Sequence, residues 1–464
     1  MGKHSPNDLG KERIGKLLLR LALPAIAAQL VNMLYNIVDR MYIGHIPDVG
    51  AAALTGVGVS FPIIMIISAF SALIGMGGAP HASIKMGQGD NEAAERILGN
   101  CFTVLLAISV VLTAFFLLTG EKLLLLFGAS ESTVGYGLGY LNIYVCGTVF
   151  VQLALGLNSF ISSQGFATRS MLTVVIGAVI NIVLDPLFIF AFGLGERGAA
   201  LATVLSQAVS AIWVLKFLTG KKTALRIRRK NLRVRRSVIL PVLMLGVSPF
   251  IMQSTESLVS VCLNSSLQGY GGDMAVGAMT ILTSLMQVLM MPLMGLSQGA
   301  QPIIGYNYGA KNPDRVKRTF QLLLISALVY SVCFFLLVQL APRLCIAIFN
   351  SNPELMRITT WAIRIYFGAG FILGAQIACQ QTFIAVGKAK ISLFLALLRK
   401  VVLLVPLIYI LPLFLEDKVF AVFLAEPIAD LLATTTTIVL FSLEFKKILR
   451  QCRKDDAKPE RIQQ

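Results

Sequence analysis

Charged residues are scarce in this chain of 464 residues, at 14% of the total, whereas 56% of its residues are hydrophobic and the mean hydropathy is +0.77. Soluble globular domains carry about a quarter of their residues as Asp, Glu, Lys or Arg. The shortage of charge therefore excludes a soluble globule and indicates a protein of the lipid bilayer. Its apolar runs are continuous and do not alternate in polarity, which predicts membrane-spanning helices.

Cysteine and histidine are also few. The seven cysteines, an odd number, lie mostly within the apolar runs, which suits small buried side chains and argues against a disulfide framework. No spacing typical of a metal site appears, so we expect no firm metal site and no cofactor. No apolar run ends in a cleavage site before residue 17. We therefore expect no removable signal peptide, and we expect the first span to direct insertion.

Acidic residues are outnumbered by Lys and Arg, 23 to 40, which gives a net charge of +17. The basic excess lies in loops, which argues against a nucleic-acid partner. The loop Lys221–Arg236 carries nine Lys or Arg and no acid, and the segment Lys3–Arg20 and the tail after Phe445 are also basic. By the positive-inside rule, we expect this loop and both termini to be cytoplasmic.

Twelve apolar stretches fill the chain, and the first six match the last six when shifted by 222 positions. The frame superposes Gly77 on Gly299, Pro80 on Pro302, Gly87 on Gly309, Tyr144 on Tyr366 and Gly165 on Gly387. Such pairs in one register indicate a tandem duplication. Six spans per repeat give both halves the same orientation, related by an axis along the membrane normal, with a substrate site expected where they meet.

The duplication predicts four segments along the chain. They are an N-terminal six-helix bundle at 1–220, a basic cytoplasmic linker at 221–237, a C-terminal six-helix bundle at 238–446 and a basic cytoplasmic tail at 447–464. Nothing outside the spans is long enough to form an ATPase domain. Energy for any transport must then come from an ion gradient, from the gradient of the substrate or from a partner.

An aspartate ends the apolar run of the first span. Asn32, Tyr35 and Asn36 precede Asp39 by seven, four and three residues, on or near one helical face. A carboxylate inside the membrane costs several kcal/mol and calls for a functional reason. The alternative is that Asp39 and Arg40 lie at the outer interface and reach water.

The fifth span contains Asn181 and Asp185, which point the same way because they are four residues apart. Pro186 lacks a backbone donor and is expected to bend the helix and free a carbonyl there. With Thr203 of the sixth span as a further hydroxyl, this pattern predicts an oxygen-rich pocket for a proton or Na⁺. A purely structural, hydrogen-bonded aspartate is the alternative.

The second half carries different acids. Gln253, Glu256 and Ser260 share one face of the seventh span, and Glu426 and Asp430 are one turn apart in the twelfth. Unequal acids in duplicated halves suggest that one half binds a coupling ion while the other attracts a cationic substrate. The alternative for Glu426, which precedes a proline, is that it only caps a helix.

Methionines recur every four residues in the eighth span, at Met286, Met290 and Met294. Flexible thioethers suit a cavity wall that accepts several apolar shapes. Methionines that face lipid are the alternative.

The strings VDRMYIG, NIVLDP, GAALATVLS and QPIIGYNYGAKNPDRV resemble the multidrug and toxic compound extrusion (MATE) family, in particular its bacterial branch of DinF-like and MepA-like exporters. The resemblance covers essentially the whole chain. It implies an all-α membrane protein of twelve transmembrane helices in two pseudo-symmetric six-helix bundles, arranged as a V around a central cleft. It also implies export of amphipathic cations in exchange for H⁺ or Na⁺.

Site residues are carried over by motif. Asp39 matches the aspartate of the family's first span, Asn181 and Asp185 match its fifth-span pair, and Thr203 matches its sixth-span threonine. Glu256 resembles an acid of the NorM-like branch. That branch's acidic cluster in span ten is absent, because the polar residues there are Tyr366, Gln376, Gln380 and Gln381. A Na⁺ site in the second bundle is therefore not expected.

The sequence thus predicts a secondary active multidrug exporter of the bacterial inner membrane that works by alternating access, couples to H⁺ in preference to Na⁺, and acts as a monomer among membrane lipids. It needs no covalent chemistry, so no enzyme activity is expected. The expected ion-coupling residues are Tyr35, Asp39, Asn181, Asp185 and Thr203, with Na⁺ as an alternative ion at Asp39, Asn181 and Asp185. The expected substrate-binding residues are Asn32, Gln253, Glu256, Met286, Gln287 and Met290, with Glu426 and Asp430 as further acids of the second bundle.

Two rival functions remain open at this point. A flippase for a lipid-linked precursor would need several basic residues facing the cleft, and the intramembrane candidates are only Arg364, Arg399 and Lys400. An ion channel or passive receptor would need no conformational cycle. Duplicated bundles with unequal acids favour a protein that does undergo such a cycle.

Overall fold

The computed structural model describes residues 8–347 and 353–454, which are almost entirely helical and contain no strand. Ten helices in these ranges are long and apolar enough to cross a membrane, and the total is twelve when two bent pairs are each counted as one span. The twelve are α1 (Ile14–Gly44), α2 (Gly50–Gly87), α3 (Asn91–Leu126), α4 (Val134–Cys146 and Thr148–Ser163), α5 (Ala167–Pro186), α6 (Gly195–Thr219), α7 (Arg236–Gly272), α8 (Met274–Gly309), α9 (Pro313–Leu340), α10 (Pro353–Tyr366 and Gly370–Ala385), α11 (Ala389–Phe414) and α12 (Lys418–Lys454). Short helices at Asp8–Lys11 and Pro342–Ala347 flank α1 and α9.

The bent pairs occupy equivalent places in the two repeats. The halves of α4 meet at 58° and those of α10 at 47°. In α4 the break lies at Gly147, where a Cβ would overlap the side chain of Val204 on α6. The duplication therefore extends to the bends, which the sequence pattern did not predict.

Helices α1–α6 pack mainly on one another, and so do α7–α12. The exceptions are the first halves of α1 and α7, each of which packs in the core of the other group. The first half of α1, including Leu17 and Leu21, is buried in a core with residues of the second group such as Phe383. The first half of α7, including Ile239 and Val242, is buried in a core of the first group. Each group thus holds the first half of one helix from the other.

Glycines bring the two groups into backbone contact at the same end. Gly87 of α2 lies against the carbonyl oxygen of Tyr306, and Gly309 of α8 lies against the carbonyl oxygen of Ile84. The repeat frame of 222 positions exchanges these two contacts, so they are one contact made twice about a pseudo-twofold axis. A side chain at either glycine would push the helices apart.

The basic loop that joins the two groups is bound to the first one. The Oε1 atom of buried Gln164 accepts hydrogen bonds from the Thr223 hydroxyl (2.8 Å) and from the Ala224 and Leu225 backbone amides (both 2.9 Å). Glu95 of α3 forms an ion pair with Arg228 at 2.8 Å. The loop is therefore a fixed part of the first group's surface.

Candidate functional site

A cavity of about 700 Å³ lies between the two groups, in the half of the molecule remote from the chain ends. This volume is in the range of small-molecule sites. The polar and charged lining residues include Gln29, Asn32, Asn36 and Arg40 of α1, Glu256, Ser260 and Asn264 of α7, Thr283 and Gln287 of α8, Tyr366, Gln376 and Gln380 of α10, Arg399 and Lys400 of α11, and Glu426 of α12.

Most of the residues predicted to bind substrate line this cavity. They are Asn32, Glu256, Met286, Gln287 and Met290. Gln253 does not appear among the described residues that line it, although it lies one turn before Glu256. The side chain from this turn that reaches the cavity is Met252, which is in contact with Gln380 at 3.4 Å.

Eight of the sixteen methionines line the cavity: Met33, Met65, Met252, Met279, Met286, Met290, Met291 and Met294. The four-residue spacing in α8 therefore marks a cavity wall and not a lipid-facing stripe. Such a wall adapts to ligands of different shape, because thioether side chains are flexible and polarizable.

The residues predicted to couple an ion meet inside the first group, away from this cavity. Asn181 and Asp185 are fully buried, and Asn181 Nδ2 donates to Asp185 Oδ1 at 3.2 Å and to Thr203 Oγ1 at 3.4 Å. Asp39 of α1 interacts electrostatically with Asp185. Helices α1, α5 and α6 together form this carboxylate site.

Three oxygens of the carboxylate site have no hydrogen-bond donor among the described residues. They are Asp39 Oδ1, Asn181 Oδ1 and Asp185 Oδ2, and all three are buried. A buried acceptor without a donor costs about 1–3 kcal/mol. A bound metal cation or a proton would satisfy these oxygens, so the three oxygen ligands fit either H⁺ or Na⁺.

Two tyrosines, Tyr35 and Tyr140, lie near these carboxylates, and a third, Tyr144, lies near Tyr35. Tyr35 interacts electrostatically with both aspartates, as predicted for a member of the site. Tyr140 interacts electrostatically with Asp39 and stacks on Tyr144, with ring centroids 6.2 Å apart. Tyr140 was not predicted, and the one available signal was its spacing of one turn from Tyr144, which the repeat conserves as Tyr366.

Asp39 and Arg40 point to different environments. The side chain of Arg40 is exposed, lines the cavity and lies over the Phe61 ring at 4.9 Å, whereas Asp39 Oδ1 is buried. The two residues therefore do not both reach water at an interface. Helix α1 separates the carboxylate site from the cavity and contributes to each.

The helix distortion expected at Pro186 is present as a π-helical turn. Helix α5 continues past Pro186 as the π-helix Leu187–Ala191, directly after Asp185. Proline cannot donate to the preceding turn, and single π-turns inside helices occur often at functional sites. The distortion thus falls next to the buried carboxylate.

The second group contains an ion-pair cluster that the sequence did not predict. Arg399 Nε is 2.6 Å from Asp430 Oδ1, and Arg399 Nη2 is 3.3 Å from Glu426 Oε1. The adjacent Lys400 Nζ is 3.2 Å from Glu256 Oε1. Arg399 and Lys400 belong to the π-helix Leu398–Leu404 of α11. The available signal was two consecutive basic residues within an apolar run.

Glu426 is not a helix cap. Helix α12 begins at Lys418, where Asp417 Oδ1 accepts a hydrogen bond from the Phe420 amide at 2.9 Å, so Glu426 and Pro427 lie in the helix interior. Tyr366, the repeat equivalent of Tyr144, interacts electrostatically with Glu426, Asp430 and Glu256.

Known proteins resemble this chain over almost its whole length. The family model MatE matches residues 24–187 and again 249–410, one match in each repeat. The multidrug export protein MepA of Staphylococcus haemolyticus is 25% identical over 423 residues, covering 90% of this chain and 92% of that protein. MepA of Staphylococcus saprophyticus is 24% identical over 432 residues, covering 93% and 95%.

Solved structures share the fold. A MOP superfamily transporter from Pyrococcus furiosus is 22% identical, with a TM-score of 0.89 over 97% of this chain and 99% of that chain. A multidrug resistance MATE family transporter in an outward-facing conformation is also 22% identical, with a TM-score of 0.89 over 97% and 100%. These neighbours have two six-helix bundles, which correspond to the two helix groups described above. The chain therefore belongs to the MatE family of multi-pass membrane transporters.

Proposed function

We propose that this protein is a secondary active exporter that moves amphipathic, mostly cationic compounds out of the cell in exchange for protons. The observation that carries the proposal is the set of buried oxygens without donors on Asp39, Asn181 and Asp185. Two ionised carboxylates buried in one bundle raise its free energy. Proton binding neutralises a carboxylate and gives it an O–H group that can donate a hydrogen bond to an oxygen without a donor.

Protons fit this site better than Na⁺ does. Of the oxygens there, only those of two carboxylates and one amide belong to strong ligands, and Asp185 Oδ1 already accepts a hydrogen bond from Asn181. A proton needs one oxygen, whereas hard metal cations take several.

The cavity supports the substrate class. Its methionine wall suits apolar groups of varied shape, and its lining includes two acids, Glu256 and Glu426, that a cationic group can contact. The relatives from Staphylococcus are multidrug export proteins by name. A flippase for a pyrophosphate-linked lipid would need several free basic residues, but two of the three basic residues that line the cavity, Arg399 and Lys400, are paired with acids, which leaves Arg40.

The closed and open ends of the molecule support alternating access. Glycine contacts close the end that carries the chain termini, while the cavity lies towards the other end. With the termini in the cytoplasm of a bacterial inner membrane, as the basic loops predict, this is the outward-facing state of a monomer. A channel would instead need a continuous path through both ends.

Everted membrane vesicles test the proposal. A pH gradient that is acidic inside should drive uptake of a fluorescent cationic dye, and a Na⁺ gradient of the same size should not. Asp185→Asn should abolish the uptake, because it removes the titrating group and keeps its shape. The matched control is Glu131→Gln, which changes an exposed acid. Dye uptake driven only by Na⁺, or full proton-driven uptake by Asp185→Asn, would refute the proposed coupling.

A further inference from the structure

The most accessible carboxylate of the cavity is occupied by a cation of the protein itself. The Glu256 side chain is 61% exposed, and both of its oxygens lie within 3.4 Å of Lys400 Nζ, whose side chain is 11% exposed. A cationic substrate that approaches Glu256 therefore meets an ion pair and not a free acid.

The neighbouring ion pair has a vacant acceptor. Glu426 Oε1 is engaged by Arg399, but Glu426 Oε2 is buried and has no hydrogen-bond partner among the described residues. Lys400 already interacts electrostatically with Glu426. The Lys400 ammonium thus has a second carboxylate within its electrostatic range.

Arg399 and Lys400 are suited to different tasks. Arg399 is held by two acids, Asp430 and Glu426, through separate nitrogens, which fixes its planar group. Lys400 is a point charge on a flexible four-carbon stem with one partner, Glu256. Both lie on the π-helix Leu398–Leu404, a type of distortion found often at functional sites. Lys400 is accordingly the mobile member of the pair.

We propose that Lys400 is a tethered competitor for the cationic group of the substrate, a residue that sets cation specificity. In the free protein Lys400 neutralises Glu256. A bound cation takes its place at Glu256, and the Lys400 ammonium moves to the free oxygen of Glu426. This inference rests on the proposed export of cationic compounds.

The charge of the cavity explains what this exchange achieves. Arg40, Arg399 and Lys400 balance Glu256, Glu426 and the adjoining Asp430, three against three. A neutral cavity does not retain a cation by charge alone. The exchange makes Glu256 available only when a cation arrives to replace Lys400, so binding stays weak enough for release.

Equilibrium binding of tetraphenylphosphonium to the purified full-length protein tests this inference, with neutral triphenylphosphine oxide as the comparison. Lys400→Met removes the competitor and keeps its length, so it should bind the cation about tenfold more tightly, the size of one partly screened charge contact. Binding of the neutral compound should not change. Lys400→Arg should bind the cation no more tightly than wild type, and Lys400→Gln repeats the test should the Met variant melt early.

Two further variants isolate the exchange. Glu256→Gln with Lys400→Met should show no gain over Glu256→Gln alone. Glu426→Gln should weaken cation binding more strongly when Lys400 is present than in the Lys400→Met background, and the difference between the two losses measures the exchange. Cation affinity that is equal or lower in well-folded Lys400→Met and Lys400→Gln would overturn the inference. If that result is accompanied by cation binding and export by the wild-type protein, the proposed function stands and only the role of Lys400 is refuted. If the wild-type protein neither binds nor exports the cation, the proposed function and the role of Lys400 are both refuted.

Discussion

Each bundle places a buried polar cluster beside an equivalent tyrosine, but the charges of the two clusters differ. Tyr144 lies near Tyr35, which interacts electrostatically with Asp39, and Tyr366 lies near Glu426 and Asp430. The acids of the second cluster are paired with Arg399 or Lys400. The first cluster has no such ion pair among the described residues. The two clusters thus share their location in the repeat, but one has carboxylate oxygens without donors and the other is held by ion pairs.

Asp39 and Asp185 are expected to act as one unit. Asp39→Asn and Asp185→Asn should each abolish proton-driven dye export, and the double variant should be no worse than either one, because residues that share one site are not additive. Initial rates in everted vesicles provide the measurement. Partial losses that multiply in the double variant would show that the two aspartates have separate roles.

The sequence predicted the residues whose partners are local. Asn181 and Asp185 are four residues apart on one helix, so their contact followed from helical geometry alone. The pairs of Arg399 with Glu426 and Asp430 join residues 27 and 31 positions apart, and Lys400 and Glu256 are 144 positions apart. No spacing rule connects different helices at such distances. Gln253 shows that helical geometry alone can also mislead. It was placed on the same helical face as Glu256, but the cavity is lined by Glu256 and Met252.

At the scale of helices, the contact of α2 with α8 closes one end of the cleft. The sequence repeat aligns Gly87 with Gly309, but only the structure shows that each glycine contacts the backbone of the other helix. At Pro186, where a bend was expected, the helix continues as the π-helix Leu187–Ala191. The π-helix Leu398–Leu404 was not predicted, although Pro406 follows it closely and proline disrupts the turn that precedes it.

Gly309→Ala should weaken this closure. The added methyl group would overlap the carbonyl oxygen of Ile84, a backbone atom that cannot rotate away, so we expect a loss of about 1–3 kcal/mol and a lower melting temperature. The matched control is Gly135→Ala in α4, where an added Cβ meets nothing within 4 Å. Thermal unfolding of the purified variants checks this. Equal melting temperatures for both variants would contradict the close contact.

At the scale of the whole molecule, the proposed alternating access requires the end that carries the chain termini to open. The first halves of α1 and α7 are buried in the opposite bundle's core at this end, so opening must break those contacts as well as the glycine contacts. The basic loop stays with the first bundle, through Gln164 and Glu95. We therefore expect the bundles to rock largely as rigid bodies, apart from these two half-helices.

A cross-link between the outer ends tests this movement. Pro47→Cys, in the loop after α1, and Gly269→Cys, in the last turn of α7, place cysteines at exposed, repeat-equivalent positions near Asp48 and Asp273, on a background without the seven native cysteines. The pair should be closer in the inward-open state, so cross-linking should block export and reduction should restore it. Export that continues with a fully formed cross-link would show that movement is confined to one bundle.

The central claim is that export of a cationic substrate is coupled to proton movement through Asp39 and Asp185. Proton movement in proteoliposomes tests this claim most directly. The purified protein is reconstituted with a pH-sensitive dye inside, and a gradient of tetraphenylphosphonium is imposed without any gradient of H⁺ or Na⁺. The substrate gradient should drive protons in the opposite direction with the wild-type protein and with Glu131→Gln, and no such movement should occur with the Asp39→Asn, Asp185→Asn double variant. Substrate-driven proton movement of full size in the double variant would contradict the assignment of the coupling site.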